Sequence, residues 1–278
     1  MIGAIIGDIV GSRFEFNNHR SKKFILFTDK CKVTDDSIMT LAVAKAIMET
    51  EKNLKLSSNS SVNNYYYYEL LKSMTIRYMQ EIGCKYPYCG YGGMFGRWIF
   101  SDNPKPYNSF GNGAAMRISP VGFIAAAEDE AKKLSETVTA VTHNHKEGIK
   151  GAEATVISIY LAKNGASKED IRQKINENYY YMNLTIDAIR DTYEFNETCQ
   201  VTVPQAIVAF LESNSFEDAI RTAISVGGDS DTLAAITGSI AEAYYGVPED
   251  IKEKALTYLD EGLRSIYDEW CEFIKTKE

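Results

Sequence analysis

The chain has 278 residues, with 30 lysines and arginines against 38 aspartates and glutamates, three histidines and a net charge of −8. Hydrophobic residues make up 45% and charged residues 24%, which excludes an intrinsically disordered chain and is ordinary for a globular protein. The acidic balance argues against free nucleic acid as a partner, because phosphate binding requires a basic surface.

The first eleven residues and the cysteines indicate in which cellular compartment the protein is found. The segment MIGAIIGDIVG is apolar, but Asp8 interrupts it and no basic flank precedes it, so it is untypical of a signal peptide. No apolar run reaches the roughly 20 residues needed to span a bilayer. Five scattered cysteines without a CxxC spacing favour a reducing compartment. We therefore predict a cytoplasmic protein without a membrane partner, a single domain over residues 1–278, and a monomer in preference to an oligomer.

The spacing of apolar residues predicts an all-α domain with glycine-rich loops. Residues 152–162 and 233–245 are nearly apolar all round, as is typical of central helices. Further helices are predicted over residues 37–50, 131–141, 169–176, 204–212 and 216–225. The best strand pattern is residues 23–28 (KFILFT), and the Ser- and Asn-rich residues 52–64 predict a surface loop.

Two short acidic segments, nearly 200 residues apart, are the most informative feature of the sequence. The first is VTDDS at 33–37 and the second is GGDSDT at 227–232, and each stands at the start of a predicted helix. Each segment supplies two carboxylates and a threonine hydroxyl. The six side chains are Thr34, Asp35, Asp36, Asp229, Asp231 and Thr232.

Helix capping is the simpler interpretation of either segment alone, because Asp, Ser and Thr accept hydrogen bonds from the first N–H groups of a helix. Capping needs one acceptor, however, and these paired carboxylates precede helices that are too apolar to lie on the surface. Clustered buried carboxylates repel one another unless they are protonated or bridged by cations. Oxygen donors without cysteine suit Mg²⁺, Mn²⁺ or Ca²⁺, so the two segments together predict a binuclear metal centre.

A third acidic element is GDIVGSRFE at residues 7–15. Glu15 lies between Phe14 and Phe16, a setting that raises the pKa of a carboxyl group when the side chain is buried. It is a candidate general base or a further carboxylate at the metals, and a surface pair with Arg13 is the alternative. Asp8 can cap a helix or pair locally.

Three other segments are candidates for ligand contact. FGNGAAMR at 110–117 is a turn whose N–H groups can approach phosphate oxygens, with a plain turn as the alternative. The aromatic loop at 90–98 can stack on a base or ribose, or simply pack. THNH at 142–145 holds two of the three histidines, and His145 can bind a metal, donate to an oxyanion or cap the helix that follows.

In this order, TDDS at 34–37, GNGAAMR at 111–117, THNH at 142–145 and GGDSDT at 227–232 resemble the motifs of the ADP-ribosylglycohydrolase family. That family includes the dinitrogenase reductase-activating glycohydrolases and the ADP-ribosyl-acceptor hydrolases. The resemblance implies a compact orthogonal helical bundle around a central cleft that holds two Mg²⁺ or Mn²⁺ ions. Two departures are visible. Lys146 follows the second histidine where the family often has proline, and the mid-chain acidic residue of nitrogenase-linked members has no clear counterpart, so their specificity is not carried over.

The resemblance also implies roles for individual residues. It makes metal ligands of Thr34, Asp35, Asp36, Asp229, Asp231 and Thr232. It places Gly111, Asn112 and Gly113 beside ADP-ribose, His145 at the substrate cleft, and Glu15 near the metals and water. The implied reaction is hydrolysis of the bond between ADP-ribose and an acceptor, with Asp36 or Glu15 as the proton acceptor. The acceptor is a protein or a small conjugate, or nucleic acid only where it is itself modified. A binuclear metal phosphohydrolase and a non-catalytic ADP-ribose-binding protein are the alternatives.

Overall fold

The computed structural model describes residues 1–56 and 64–277, and this part of the chain folds as fifteen helices without a strand. The all-α prediction is therefore confirmed. None of the described helices has the length and hydropathy needed to cross a membrane. The helices are α1 (Ile2–Gly11), α2 (Asp35–Leu56), α3 (Asn64–Gly83), α4 (Gly93–Ile99), α5 (Gly113–Met116), α6 (Ser119–Ile124), α7 (Glu128–Thr139), α8 (Lys146–Lys163), α9 (Lys168–Asn178), α10 (Ile186–Ile189), α11 (Cys199–Leu211), α12 (Phe216–Ile224), α13 (Ser230–Tyr245), α14 (Glu249–Leu256) and α15 (Glu261–Lys275).

Two apolar helices that are distant in sequence form the centre of the fold. All ten residues of α1 are buried, and α13 is buried continuously from Ser230 to Ala241. α13 packs against α1, α8, α11 and α12, so it contacts helices from most of the chain. A helix that is apolar all round needs such a complete shell of neighbours, because no face of it is stable in water.

Glycines bring the backbones of α1 and α13 into direct contact. A Cβ atom at Gly7 would lie 2.1 Å from the carbonyl oxygen of Ala234, and a Cβ atom at Gly11 would lie 2.5 Å from Cα of Asp231. Real side chains do not tolerate such distances, so the two helices can approach this closely only without side chains between them. Asp8, which lies between these glycines, is thereby held beside the first turn of α13.

The strand predicted at residues 23–28 is wrong, because this segment is irregular. Its carbonyl groups accept hydrogen bonds from arginine side chains: Arg221 donates to the oxygen of Phe24, and Arg13 donates to the oxygen of Ile25. The described ranges contain no strand with which this segment could pair. The apolar run therefore reflects Phe24, Leu26 and Phe27 packing against the helical core, and not a sheet.

The predicted surface loop at residues 52–64 is wrong at its start. α2 continues to Leu56, residues 57–63 lie outside the described residues, and α3 begins at Asn64. The aromatic loop at 90–98 is likewise wrong over its second half, where α4 begins at Gly93.

Helix α11 begins five residues before the predicted start. Pro204 therefore lies inside the helix and not in its first turn. Proline provides no N–H for the carbonyl group four residues earlier, which belongs to Gln200. Because Gln200 is exposed, water can hydrate that carbonyl group, and the helix tolerates the proline.

Candidate active site

Asp8 holds the first acidic segment against α1. Its carboxylate accepts hydrogen bonds from the backbone N–H groups of Thr34 (3.0 Å) and Ser37 (3.1 Å), from Thr34 Oγ1 (2.6 Å), and from the hydroxyl of Ser37. These bonds cap the first turn of α2 and fix the two aspartates between Thr34 and Ser37. Asp8 therefore caps a helix, as one of its two expected roles, but the helix is α2 and the partners are 26 and 29 residues away, so the pairing is not local. The hydroxyl group of Thr34 donates its proton to Asp8, and the role of Thr34 as a metal ligand remains a prediction.

The second acidic segment enters α13 through a tight glycine turn. Gly227 and Gly228 have φ angles of +80° and +70°, a backbone conformation that favours glycine. Asp229 follows them, and its Oδ2 accepts a hydrogen bond of 2.6 Å from Asn112 Nδ2. The same amide group donates to Thr202 Oγ1 at 3.1 Å. Asn112 thus positions a carboxylate of the acidic cluster from the glycine-rich turn.

The fold brings the acidic segments together as two groups of three carboxylates. Asp8, Asp36 and Asp231 each have a carboxylate oxygen within 4.8 Å of the other two, and so do Glu15, Asp229 and Asp231. Asp231 belongs to both groups. Two adjacent oxygen-rich positions that share one carboxylate are a suitable arrangement for two bridged cations.

Asp36 shows most directly that the cluster suits a cation. Its Oδ2 accepts a hydrogen bond of 3.3 Å from Thr232 Oγ1, but its buried Oδ1 has no hydrogen-bond partner among the described residues. Burial, followed by the charges of Asp8 and Asp35, raises the pKa of Asp36 well above its ordinary value. A buried carboxylate oxygen without a donor is destabilising unless a proton or a metal ion neutralises it. An all-oxygen set of donors fits Mg²⁺ or Mn²⁺.

Two further carboxylates face the same cavity with raised pKa values. Burial, and secondarily the charge of Asp8, raises the pKa of Asp35 to about 8. The half-buried Glu15 has a pKa of about 7, because burial and the charge of Asp229 outweigh the opposing charge of Lys32. Protons and cations therefore compete for these oxygens near neutral pH.

We expect the stability of the metal-free protein to fall as the pH rises from about 5.5 to about 8. Asp35 and Glu15 have folded-state pKa values near 8 and 7, above the value of about 4 of a free carboxyl group. At these two groups the folded state therefore binds more protons than the unfolded state, which outweighs the opposite contribution of the single buried His143 below about pH 6.5, and the free energy of unfolding decreases with pH. Thermal unfolding in EDTA should show a lower Tm at the higher pH.

Added Mg²⁺ or Mn²⁺ should raise the Tm more at about pH 8 than at about pH 5.5, because fewer protons then compete for the oxygens. The variant Asp35→Asn is the control and should flatten the pH dependence in EDTA. A Tm that rises with pH in EDTA would contradict the assignment.

The carboxylates lie in a cavity of about 510 Å³, a volume typical of small-molecule sites. Of the predicted site residues, the cavity is lined by Glu15, Asp35, Asp36, Gly111, Asn112, Gly113, Asp229, Asp231 and Thr232. The lining also includes aromatic and basic side chains, which are Phe95, Arg97, Tyr107, Phe110 and Arg117.

The glycine-rich turn leaves room for a ligand because its glycines have no side chains. Two of its N–H groups are already hydrogen-bonded within the protein. The N–H group of Gly111 donates to Ser109 Oγ at 3.1 Å, and that of Asn112 donates to the carbonyl oxygen of Glu197 at 2.7 Å. These two N–H groups are therefore already engaged, and contact of Gly111, Asn112 and Gly113 with the ligand stays a prediction. The bond from Gly111 closes the turn on itself, and the bond from Asn112 fastens the turn to the segment before α11, where Gly111 and Thr198 are also paired.

His143, and not His145, lines the cavity. His145 precedes α8, and its Nδ1 accepts a hydrogen bond of 3.1 Å from the N–H group of Glu147. Capping was one of the roles expected of His145, and its predicted contact with the substrate stays a prediction. His143 was not singled out from the sequence because a THNH motif does not distinguish its two histidines.

The fold and the site together define an all-α enzyme with an acidic, oxygen-rich cavity. The model of the ADP-ribosylglycohydrolase family matches residues 1–275, and the chain belongs to this family.

Relatives support this membership at low identity. Human ADP-ribosylhydrolase ARH3 is 23% identical over 337 residues, covering 93% of this chain and 88% of that protein. ADP-ribosylarginine hydrolase Tri1 of Pseudomonas putida is 31% identical over 148 residues, but the match covers 49% of this chain and 39% of that protein. A solved structure titled ADP-ribosylglycohydrolase-related protein complex matches with a TM-score of 0.64 at 20% identity, over 95% of this chain and 94% of that one. The structural match supports the fold.

Proposed function

We propose that this protein is a metal-dependent hydrolase that cleaves the glycosidic bond between ADP-ribose and an acceptor, which is an ADP-ribosylated protein or a small ADP-ribosyl conjugate. Family membership supports the ADP-ribose part of the proposal. The observation that carries the metal part is the pair of carboxylate groups that share Asp231 in one cavity.

The residues present suit two Mg²⁺ or Mn²⁺ ions. Asp8, Asp36 and Asp231 would hold one ion, and Glu15, Asp229 and Asp231 the other. Asp35 and Thr232 face the same cavity and complete the proposed ligand set together with Thr34. When bound, such ions supply positive charge that can orient ribose hydroxyls and lower the pKa of a water molecule.

Glu15 and Asp36 are the proposed proton acceptors. Glu15 lines the cavity beside Asp229 and Asp231, so it can accept a proton from a water molecule held there; its pKa of about 7 is that of the metal-free protein, and bound cations would lower it. Glu15 is also only half-buried, so a proton that it accepts can pass to solvent. Asp36 has a carboxylate oxygen free of hydrogen bonds, but its deeper position suits holding an ion better than exchanging protons.

The assay that tests this proposal uses a panel of defined ADP-ribosyl conjugates with Mg²⁺ or Mn²⁺, analysed by mass spectrometry. The panel contains arginine-linked, serine-linked and nucleic-acid-end conjugates and O-acetyl-ADP-ribose. The Pseudomonas relative is named for the arginine linkage, which makes that conjugate the first to assay. We expect release of free ADP-ribose and the intact acceptor from at least one member, and none in EDTA.

The products also separate the alternatives. Release of AMP or phosphate would show a phosphohydrolase and contradict the proposal. Binding of ADP-ribose without turnover of any conjugate would show a binding protein and contradict it as well. Asp36→Asn, which keeps the side-chain shape, is the matched inactive control.

A further inference from the structure

Arg117 is an unusually buried residue of the cavity lining. Only 1% of it is exposed, which makes it the largest fully buried side chain of the described chain. It forms no ion pair with a carboxylate within the described ranges, and its guanidinium group lies 5.2 Å from the centre of the Phe95 ring. Burying a cation without a counter-charge is destabilising. The neighbours that Arg117 does contact are therefore informative.

Those neighbours are two buried side chains, Thr142 and His143. Nη2 of Arg117 donates to Thr142 Oγ1 at 2.6 Å and lies 3.3 Å from His143 Nδ1. Thr142 Oγ1 also lies 2.7 Å from the same Nδ1. The three atoms form a closed triangle at the back of the imidazole ring.

The hydrogen-bond chemistry of this triangle favours one tautomer of His143. A guanidinium nitrogen can only donate, so Nδ1 must face it with a lone pair. Thr142 accepts from Arg117, which leaves its hydroxyl proton for Nδ1. A proton on Nδ1 could still donate to Thr142 Oγ1, but it would also face the hydrogens on Nη2 of Arg117, 3.3 Å away, which disfavours it. The neutral ring therefore carries its proton on Nε2.

Nε2 lies on the cavity side of the ring. A Cβ atom at Gly111 or Gly113 would be 3.5 Å or 3.4 Å from it, so Nε2 lies directly against the glycine-rich turn. It has no hydrogen-bond partner among the described residues, whereas Nδ1 has two. The lack of side chains on the turn leaves room for a ligand atom in front of this N–H group.

The surroundings also keep the ring neutral. Burial, and then the charge of Arg117, holds the pKa of His143 well below its usual range. Arg117 itself keeps a pKa of about 10 and stays protonated at neutral pH. The other titratable group packed against the ring is the phenol of Tyr107, whose ring centre is 5.9 Å away. Neither neighbour can stabilise an imidazolium ion.

We propose that Arg117, with Thr142, is a positioning residue that holds His143 as the neutral Nε2–H tautomer, so that His143 donates a hydrogen bond to an acceptor oxygen of ADP-ribose beside the Gly111–Gly113 turn. The contact between His143 and ADP-ribose rests on the proposed function, whereas the tautomer of His143 rests on the contacts with Arg117 and Thr142. One consequence is that His143 is not the proton acceptor of the reaction, which leaves that role to the carboxylates.

Long-range proton–nitrogen NMR correlation of the imidazole rings in the ligand-free protein tests the tautomer. The chain has three histidines, and the His143→Gln variant identifies the signals of His143. We expect a pyridine-type Nδ1 and a pyrrole-type Nε2 between about pH 6 and 8. A protonated Nδ1 in the wild-type protein would overturn the proposal, and this readout needs no Arg117 variant to fold.

Variants then test the part played by Arg117. Arg117→Met should let the Nδ1–H tautomer or the imidazolium ion appear, whereas Arg117→Lys, which keeps a donor, should preserve the wild-type spectrum. Arg97→Met is the matched control, because it removes an exposed arginine of the same cavity that makes no contact with His143. An unchanged His143 spectrum in folded Arg117→Met would overturn the proposal.

A separate measurement tests the proposed hydrogen bond from His143 to ADP-ribose. On addition of ADP-ribose, the Nε2–H signal should shift while Nδ1 stays pyridine-type, and Arg117→Met should weaken binding about tenfold, the equivalent of one hydrogen bond. Binding of ADP-ribose without a shift of Nε2–H would contradict this half. If ADP-ribose does not bind at all, the proposed function fails, and the ligand-free spectrum still decides the tautomer.

Discussion

The variant Asp231→Asn should lose binding of divalent ions and more than about 100-fold in turnover, because changes to mere supporting partners of metal ligands already reduce affinity or activity by 10- to 100-fold. Asp231 is the one residue common to both carboxylate groups, so both proposed ion positions lose a charged oxygen at once. The measurements are metal titration by calorimetry and ADP-ribose release by mass spectrometry.

A stability measurement separates the loss of a ligand from misfolding. Burial and the charges of Asp229 and Asp36 raise the pKa of Asp231 well above its ordinary value, so its ionised form is unfavourable in the metal-free fold. A neutral amide of the same shape should therefore raise the Tm in EDTA at about pH 8 while abolishing the increase that Mg²⁺ or Mn²⁺ gives the wild type. Asp102→Asn, which changes an exposed carboxylate outside the cavity, is the control and should leave both values unchanged. Retention of the metal-induced increase by Asp231→Asn would contradict the assignment.

Replacing Gly7 by alanine should destabilise the protein by about 3 kcal/mol or more, at or above the upper end of the usual effect of overpacking. The added Cβ atom would meet the backbone oxygen of Ala234 at 2.1 Å, and a backbone cannot move aside as the end of a side chain can. α1 and α13 would have to separate, and Asp8 would withdraw from Asp231. The free energy of unfolding from urea denaturation and the metal affinity should therefore fall together.

Gly96→Ala is the matched control for this prediction. Gly96 lies within α4, and a Cβ atom there would be 3.8 Å from the nearest side-chain atom, which belongs to Tyr91. Alanine favours a helix over glycine by roughly 0.5–1 kcal/mol, so this variant should be neutral or slightly more stable. A Gly7→Ala protein as stable as the wild type would show that the two helices are not in backbone contact.

The acidic segments could be predicted from the sequence because their chemistry is local. Two carboxylates and a threonine before an apolar helix exceed what capping needs, whichever way the chain folds. Asp8 was harder to assign, because a single aspartate in an apolar helix does not reveal what it faces. Its place in the cluster follows from the glycine contact between α1 and α13, which is a tertiary property.

The other errors have the same origin. Residues 23–28 are a short apolar run like that of a strand, but their carbonyl groups accept hydrogen bonds from Arg13 and Arg221, and no local sequence pattern predicts these partners. The choice between His143 and His145 depends on Arg117, which lies 26 residues before His143. Secondary structure follows from periodicity, whereas the contents of a cavity depend on which distant side chains meet there.

The contact between α1 and α13 has a consequence for how the protein is made. Ten buried residues at the start of the chain, Ile2 to Gly11, have their main partner in residues 230–245. During synthesis this apolar segment leaves the ribosome long before α13 has been made. Contacts between residues so distant in sequence form slowly. The acidic cluster therefore cannot form before Asp229 and Asp231 have been synthesised, and until then α1 lacks its main packing partner.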